Sequence, residues 1–246
     1  MKRWILALFA AVFLLASARP SFAGLPGEGY AWPTFKELVQ TFVALKGLDI
    51  TDPKVTDLYG KIVYCSIYEK EFSNDMLWKQ FREKIVARFL KQKEYYRVRY
   101  QVVIPFDIGH YDFKKQYFPI ASRQSFENVG YLSLSGQPSA SSPCLRGRNL
   151  IFTAGVTLKT ANPLTIKGFS LPEKDVAKIM ARMVEGRDKK RKVYARIRVL
   201  VTGAEKGVNV SADNYVQMVL TGKVVSVDFF LDSQLTEPVG QAIVIR

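Results

Sequence analysis

The sequence predicts an α+β protein in which a helical N-terminal section packs on an antiparallel sheet or β-sandwich with one inserted helix. Apolar residues recur at helical spacing as far as residue 92 and alternate at strand spacing afterwards. Helical spacing then returns once, over 172–186, between two strand patterns. At 246 residues and 48% apolar content, the chain is large and apolar enough to bury a sizeable core.

Residues 1–23 are predicted to be a cleaved secretory signal peptide and not part of the fold. Two basic residues precede an apolar run over 4–18, and Ser21-Phe22-Ala23 supplies the small-x-small pattern that signal peptidase cuts. The run is about fifteen residues long, whereas a membrane span needs roughly twenty. An uncleaved anchor is the alternative. We expect cleavage after Ala23, a periplasmic or secreted protein, and no transmembrane segment in what remains.

The section 24–92 is predicted to be an extended arm followed by three amphipathic helices. A capping box at Thr34 starts the first helix, and Asp52-Pro53 starts the second, which we expect to continue through Cys65. The third begins near Ser73-Asn74. One side of this helix carries the apolar residues Leu77, Trp78, Phe81, Ile85 and Phe89. Largely on the other side lie the basic residues Lys79, Arg82, Lys84, Arg88 and Lys91. Such helices are unstable singly, so they must pack together or on the sheet.

The section 93–246 is predicted to be mainly antiparallel β-structure, with the helix 172–186 inserted. A first strand alternates over 96–104, and we expect Pro105 to end it. A hairpin is expected across Thr221-Gly222, between strands over 215–220 and 223–231. Further strands are expected within 108–120, 150–160, 192–201 and 241–245.

Cys65 and Cys144 are the only two cysteines in the chain. An isolated pair in an oxidising compartment bonds more often than not, so we expect a disulfide. Such a bond would tie down the Ser/Pro-rich loop 135–149. The alternative is a buried thiol at Cys65 and an exposed one at Cys144. There is no Cys-x-x-Cys pattern, so neither a redox motif nor a zinc site is indicated.

Positive charge is in clear excess. The formal net charge of +14 becomes +11 when the three basic residues of the predicted signal peptide are removed. Such an excess favours anionic partners through long-range attraction and counterion release. For an exported protein these partners are an anionic envelope component or another envelope protein, and nucleic acid is not expected. A cationic solvated surface without a specific partner is the alternative.

The densest basic cluster follows the inserted helix and enters the next strand. It comprises Arg182, Arg187, Lys189, Lys190, Arg191, Lys192, Arg196 and Arg198. We interpret it as a candidate site for an anion or an acidic partner. Cations are also favourable at the C-terminus of a helix, so a solvated turn is the alternative reading.

Motifs of known catalytic or cofactor sites are absent from the sequence. The serine-hydrolase pattern Gly-x-Ser-x-Gly and a phosphate-cradling glycine loop are both missing, and no cofactor is predicted. His110, the single histidine, lies between Asp107 and Asp112. These three residues cannot share one face of a regular strand, so we predict a turn capped by a carboxylate and no metal site.

Paired carboxylates that cleave glycosidic bonds need not be close in sequence, so composition leaves that chemistry open. The candidates by default are Glu127, Asp213, Asp228 and Asp232. None of them stands in a recognisable motif.

Two short motifs carry a family resemblance. They are Gly109-His110-Tyr111-Asp112-Phe113 with Phe118-Pro119, and Phe169-Ser170-Leu171-Pro172 ahead of the inserted helix and an arginine-bearing strand. In these the chain resembles a bacterial secreted family that is described only as a domain of unknown function. The resemblance covers roughly residues 95–232. It implies bacterial origin and export, and it transfers no active-site residue.

Together these observations favour a non-catalytic periplasmic or secreted protein. Its basic surface would bind an anionic or protein partner, or associate it with the cell envelope. The alternative is a hydrolase that acts on envelope polymers through carboxylates that the sequence does not identify.

Overall fold

The computed structural model describes residues 29–121, 124–135, 144, 152–185, 191–205, 208–209 and 216–244. Over these residues helices come first and a multi-stranded sheet follows, which confirms the predicted α+β class. The described residues from Ala31 onward belong to one compact unit. The predicted signal peptide, 1–23, and most of the predicted loop 135–149 lie outside the described residues.

The helices of the N-terminal section begin where local hydrogen bonding predicts. They are α1 (Phe35–Ala44), α2 (Pro53–Val63), α3 (Cys65–Glu71) and α4 (Asp75–Gln92). Thr34 Oγ1 accepts the N–H of Glu37 at 3.2 Å while the Glu37 carboxylate accepts the N–H of Thr34, which completes the predicted capping box. Asn74 caps α4 by accepting the N–H of Leu77 at 3.1 Å.

The predicted second helix is in fact two helices. Tyr64 adopts φ −123° and ψ 41°, outside the helical region, and separates α2 from α3. The sequence carries no breaker because the break loses little hydrogen bonding: Tyr64 N–H still reaches the Gly60 carbonyl, and Tyr68 N–H reaches the Tyr64 carbonyl. Packing supports the bend, since the Tyr64 ring meets the Phe81 ring edge-on at 5.7 Å.

The sheet is mixed, with one parallel pair among antiparallel ones. Its strands are β1 (Arg99–Asp107), β3 (Phe126–Ser135), β4 (Phe152–Ile166), β6 (Lys192–Ala204), β7 (Val208–Asn209), β8 (Val216–Phe230) and β9 (Pro238–Val244); a separate small pair is β2 (Tyr117–Pro119) with β5 (Gly168–Ser170). The order is β1-β6-β8-β4-β3, and β7 and β9 also pair with β8. Only β4 with β8 is parallel among these described pairings. Helix α5 (Glu173–Glu185) lies between β5 and β6.

The two faces of β6 have different chemistry. One face is apolar and buried, as Val193, Ile197 and Val199 illustrate, and α1 contacts the neighbouring strands β4 and β8. On α1, Leu38 and Phe42 are fully buried in the same core. The opposite face of β6 carries alternate residues that include two arginines. The helices therefore cover one face of the sheet, and polar chemistry concentrates on the other.

Strand β1 runs through Pro105, which was expected to end it. Ile108 N–H bonds the Arg191 carbonyl, and alternation along the pair turns the amide position of Pro105 away from β6. β1 is the first strand in the sheet order, so this position faces the sheet edge, where the missing N–H of proline costs no ladder hydrogen bond. The prediction was wrong because edge position cannot be read from local sequence.

The predicted hairpin across Thr221-Gly222 is also wrong, because β8 is one continuous strand over Val216–Phe230. Gly222 is needed for a close approach of strands and not for a turn. A Cβ atom at this position would lie 2.2 Å from the Leu200 carbonyl oxygen and 2.9 Å from Val201 Cα, both in β6. The glycine signal was real, but its cause lies in the neighbouring strand.

We expect Gly222→Ala to lower the free energy of unfolding by about 2 kcal/mol, because the added methyl group must displace the β6 backbone. Urea denaturation followed by circular dichroism measures the loss. Gly130→Ala is the matched control, since a Cβ there would meet nothing within 4 Å. Equal stability of the two variants would contradict the close approach.

Candidate functional site

The structure divides the predicted basic cluster. Arg187, Lys189 and Lys190 lie outside the described residues, and so does the side chain of Arg182 at the end of α5. Arg191, Lys192, Arg196 and Arg198 are described. The described members are not a uniform solvated surface, because the three arginines among them have specific protein partners.

Arg196 and Arg198 bind Asp228 across the sheet. Asp228 Oδ2 lies 3.1 Å from Arg196 Nη2 and 3.0 Å from Arg198 Nη1, and the arginine side chains are only 11% exposed. Arg196 also lies over the ring of Phe230 at 4.9 Å. In the antiparallel register Arg196 faces Asp228 and Arg198 faces Ser226, which places all of these groups on one face. These contacts assign both arginines a structural role in joining β6 to β8.

Arg191 ties three segments together at the start of β6. Its Nη1 donates to the Gly109 carbonyl at 3.2 Å and to His110 Nδ1 at 2.9 Å, and its Nη2 donates to the Met180 sulfur at 3.5 Å. The lone histidine is thus held by a guanidinium group. Lys192 is half-buried and pairs in register with Asp107.

The groups around His110 have separate partners, as the predicted turn requires. Asp112 Oδ1 accepts the N–H groups of Lys114 and Lys115 at 3.0 and 3.1 Å, which caps the turn. Asp107 Oδ2 accepts a hydrogen bond from the Gln124 side chain at 3.0 Å. Asp112 therefore caps the predicted turn, and Asp107 is bonded to a separate segment.

The predicted disulfide is present, with Cys65 at the first residue of α3 bonded to Cys144. A carboxylate oxygen of Glu69 lies within 4.8 Å of both sulfur atoms, so the three residues resemble a metal-binding group. Both sulfur atoms are committed to the S–S bond, however, and metal binding requires free thiolates. The bond fixes the start of α3 to a buried residue that is 79 positions later.

The carboxylates considered for hydrolysis serve other purposes where they are described. Glu127 lies 2.7 Å from Lys167, and that hydrogen bond lowers the pKa of the Glu127 carboxyl. Burial disfavours the charged form of Asp232, but N–H groups of Thr236 and Glu237 outweigh it and lower the pKa of this carboxyl. Asp228 is bound to the two arginines of β6. Asp213 lies outside the described residues.

A basic surface that the sequence did not single out lies on α4. The helix contacts the core through a narrow strip, since its buried residues are Trp78, Ile85 and Phe89. Lys84, Arg88 and Lys91, here called the basic stripe, are exposed and share one face because their spacing is four and three. Like charges at these spacings destabilise an isolated helix by about 0.2–0.5 kcal/mol per pair. A bound anion would reduce this repulsion between the cations.

Aromatic residues join α4 to the helices before it. Trp78 is buried, and its Nε1 donates to Asp57 Oδ1 at 2.7 Å, while Arg82 binds the same carboxylate. Burial raises the pKa of Tyr64, and the nearby Arg88 guanidinium opposes the rise. Arg88 of the basic stripe therefore lies close to Tyr64, whose ring packs on Phe81 of α4.

The turn between α3 and α4 exposes large apolar side chains. Phe72, Met76 and Leu77, here called the apolar tip, are 42%, 72% and 46% exposed. Leu77 was expected on the buried side of the helix. That prediction was wrong because the buried strip of α4 is narrow and Leu77 lies outside it. Tyr68 and Phe72, from α3 and its end, cover Trp78 instead, with ring centroids 5.1 and 5.5 Å from that ring.

Among the described residues, no helix combines the length and apolarity that crossing a membrane requires.

Comparison with known proteins gives a family match. No curated protein and no solved structure matches the chain. A family model described as a domain of unknown function, DUF4852, matches residues 52–195, from the start of α2 into β6. The match includes the basic stripe, the apolar tip and both cysteines, and it spans more than half of the 246 residues. The resemblance drawn from the sequence motifs is thereby confirmed, and the chain belongs to the DUF4852 family.

Proposed function

We propose that this is a non-catalytic exported protein that binds an anionic or protein partner of the cell envelope through a basic surface. It is periplasmic or secreted after cleavage behind Ala23. The observation that carries the proposal is the basic stripe on α4, three exposed cations on one helical face.

The charge arrangement supports binding. Arg196 and Arg198 are held by Asp228 on the sheet, whereas the basic stripe points away from the core on a helix that buries only a narrow strip. The formal net charge of +11 that remains after removal of Lys2, Arg3 and Arg19 adds a long-range attraction toward anionic surfaces. An anion at the stripe would also remove the repulsion between neighbouring cations of α4.

The disulfide supports export. Structural disulfides form and persist in the periplasm and outside the cell, and they are rare in the cytosol. The bond between Cys65 and Cys144 joins a helix start to a buried position and so belongs to the fold. The N-terminal pattern that ends in Ser21-Phe22-Ala23 points the same way.

The carboxylates favour binding over hydrolysis. A hydrolase of the glycosidase type needs two facing carboxylates, at least one of them with a raised pKa. The pKa values of Glu127 and Asp232 are lowered, and Asp228 is bound to two arginines. These groups are stabilised in the ionised form, which suits structural hydrogen bonding and opposes a role as general acid.

The test is export of the full chain followed by co-sedimentation with envelope fragments. We expect the protein in the periplasmic fraction with Gly24 as its N-terminal residue, and sedimentation that weakens as salt rises. The triple variant Lys84→Gln, Arg88→Gln, Lys91→Gln should bind about tenfold or more weakly, because it removes the cations that face the partner.

A charge-matched control separates the stripe from bulk charge. Lys36, Lys54 and Lys174 are exposed on α1, α2 and α5, and their replacement by glutamine removes the same net charge. This control should bind within about threefold of the wild type, since only distant attraction is lost. Retention in the cytosol, or no sedimentation of the wild type, would contradict the proposed function. Equal losses in the two triple variants would show that the stripe is not the binding surface.

A further inference from the structure

We propose that the corner formed by α3 and α4 docks on a bilayer surface that carries anionic phosphate headgroups. The apolar tip enters the interface between headgroups and acyl chains, and the basic stripe lies on the phosphates. This inference rests on the proposed function and names the partner of the same surface.

The apolar tip is the first observation. Phe72, Met76 and Leu77 are three large apolar side chains within six residues, each more than 40% exposed. Single exposed apolar residues are ordinary on protein surfaces, but a group of them marks an interaction site. The tip is exposed where α3 ends and α4 begins, a position that suits entry into a bilayer surface more than capture of a ligand in a cavity.

The tip is held outward by rigid packing. Phe72 stacks on Tyr68 at 4.3 Å and meets the Trp78 ring at 5.5 Å, and Trp78 is fixed by its hydrogen bond to Asp57. The disulfide at Cys65 anchors the first turn of α3. Because Trp78 is itself buried, the Phe72 side chain rests on a fixed surface. The geometry for docking is therefore formed before any partner arrives.

Charge complementarity identifies the surface that the tip meets. Leu77, Lys84, Arg88 and Lys91 have spacings of seven, four and three, which places them along one face of α4. Within α4 there are five basic residues and two acidic ones, Asp75 and Glu83, and Asp75 lies in the first turn, where it complements the helix dipole. The helix is about 27 Å long, so it can lie along a membrane surface with its tip inserted at one end.

The combination favours lipid over other anions. A phosphate-bearing polymer would bind the basic stripe but would gain nothing from exposed Met76 and Leu77. A single-stranded nucleic acid would stack its bases on aromatic rings, and Met76 is the most exposed member of the tip. A bilayer surface, which is apolar beneath and anionic above, uses both features.

The experiment is flotation of the full, oxidised protein, purified from the periplasm, with two kinds of vesicle. One contains phosphatidylcholine with 30% phosphatidylglycerol (roughly the anionic share that gives a strong negative surface potential), and the other contains phosphatidylcholine alone. We expect binding to the anionic vesicles at least tenfold tighter than to the neutral ones, and loss of binding as salt rises from about 50 to 300 mM. The triple variant Lys84→Gln, Arg88→Gln, Lys91→Gln, here called the stripe variant, should bind these vesicles about 100-fold more weakly than the wild type. Each cation near the surface contributes roughly a factor of five to binding.

The apolar tip is tested with Met76→Gln and Leu77→Gln together, here called the tip variant, which leaves Phe72 packed on Trp78. We expect about a tenfold loss of binding to anionic vesicles, and an unchanged urea midpoint shows that the fold is intact. Tyr131→Gln is the control, because it removes an exposed aromatic side chain from β3 and should change binding by less than about threefold.

The outcomes separate the two proposals. Wild-type binding to envelope fragments without binding to anionic vesicles overturns the lipid inference and leaves the proposed function standing. If the wild type binds neither envelope fragments nor anionic vesicles, the lipid inference and the proposed function are both wrong. If the tip variant binds vesicles as the wild type does while the stripe variant does not, the partner is an anion without an apolar layer, and the inference is wrong.

Discussion

Replacement of Asp228 by alanine is expected to lower the free energy of unfolding by about 3–5 kcal/mol. One carboxylate oxygen of Asp228 lies within 3.1 Å of both Arg196 and Arg198, and its side chain is 16% exposed. The substitution leaves two guanidinium groups close together on one face of β6, shielded from water, without the carboxylate that separates them. Removing one partner of a buried ion pair costs far more than the pair contributes net. Urea denaturation followed by circular dichroism measures the loss.

Glu205→Ala is the matched control for this variant. It removes the Lys159–Glu205 pair, whose atoms lie 2.6 Å apart but whose side chains are 49% and 42% exposed. Solvent screening and side-chain entropy limit such a pair to about 0–1 kcal/mol. If Asp228→Ala is no less stable than Glu205→Ala, the arginine–aspartate contacts do not hold β6 to β8.

Loss of the disulfide is the second large effect. Reduction should destabilise the protein by about 4 kcal/mol, because the bond closes a loop whose ends are 79 positions apart and so restricts the unfolded chain. A typical domain has only about 5–15 kcal/mol of stability, so the reduced protein is expected to unfold at markedly lower urea concentration. Parallel urea titrations with and without a phosphine reductant measure the difference.

The double variant Cys65→Ala, Cys144→Ala isolates the bond from other effects of the reductant. Its urea midpoint should match the reduced wild type and should not change when reductant is added. A wild type whose thiols are fully labelled after reduction, yet whose midpoint is unchanged, would show that the bond adds nothing to stability.

Local signals in the sequence placed the starts of α1, α2 and α4 correctly. Thr34 with Glu37, and Asn74 ahead of α4, act through hydrogen bonds within a few residues, so their sequence determines their structure. The disulfide was also predictable, since only two cysteines exist. The alternating pattern of β6 located a strand whose two faces the structure then resolved.

The errors share a different cause. Whether Pro105 ends a strand depends on its position at the sheet edge, and whether Gly222 forms a turn depends on the approach of Leu200. Both facts belong to neighbours that are distant in sequence. The sequence also did not single out β3 over Phe126–Ser135, whose pairing with β4 is interrupted by irregularities that disturb a simple alternation.

The candidate site shows the same limit. Counting charges located the basic cluster from Arg182 to Arg198 but could not reveal that Asp228 lies opposite Arg196, because that register joins strands 32 positions apart. Helical spacing did separate the cations of α4 from its apolar strip. It could not show that Tyr68 and Phe72 would cover Trp78, nor how narrow the buried strip of α4 would be, which leaves Leu77 exposed. Exposure is set by packing between helices.

The outer edge of β1 limits how copies of this protein can associate. Ala31 bonds to the strand at Arg99 and Gln101, Pro105 offers no N–H, and Asp107 is bonded to Gln124 and Ala121. At the other end of the sheet, irregular pairing and the left-handed φ of 55° at Asn128 distort β3. At these two edges a second chain would find no regular ladder to extend, so pairing there into a shared sheet is disfavoured. Copies of this protein crowded on a surface are therefore not expected to join through either edge.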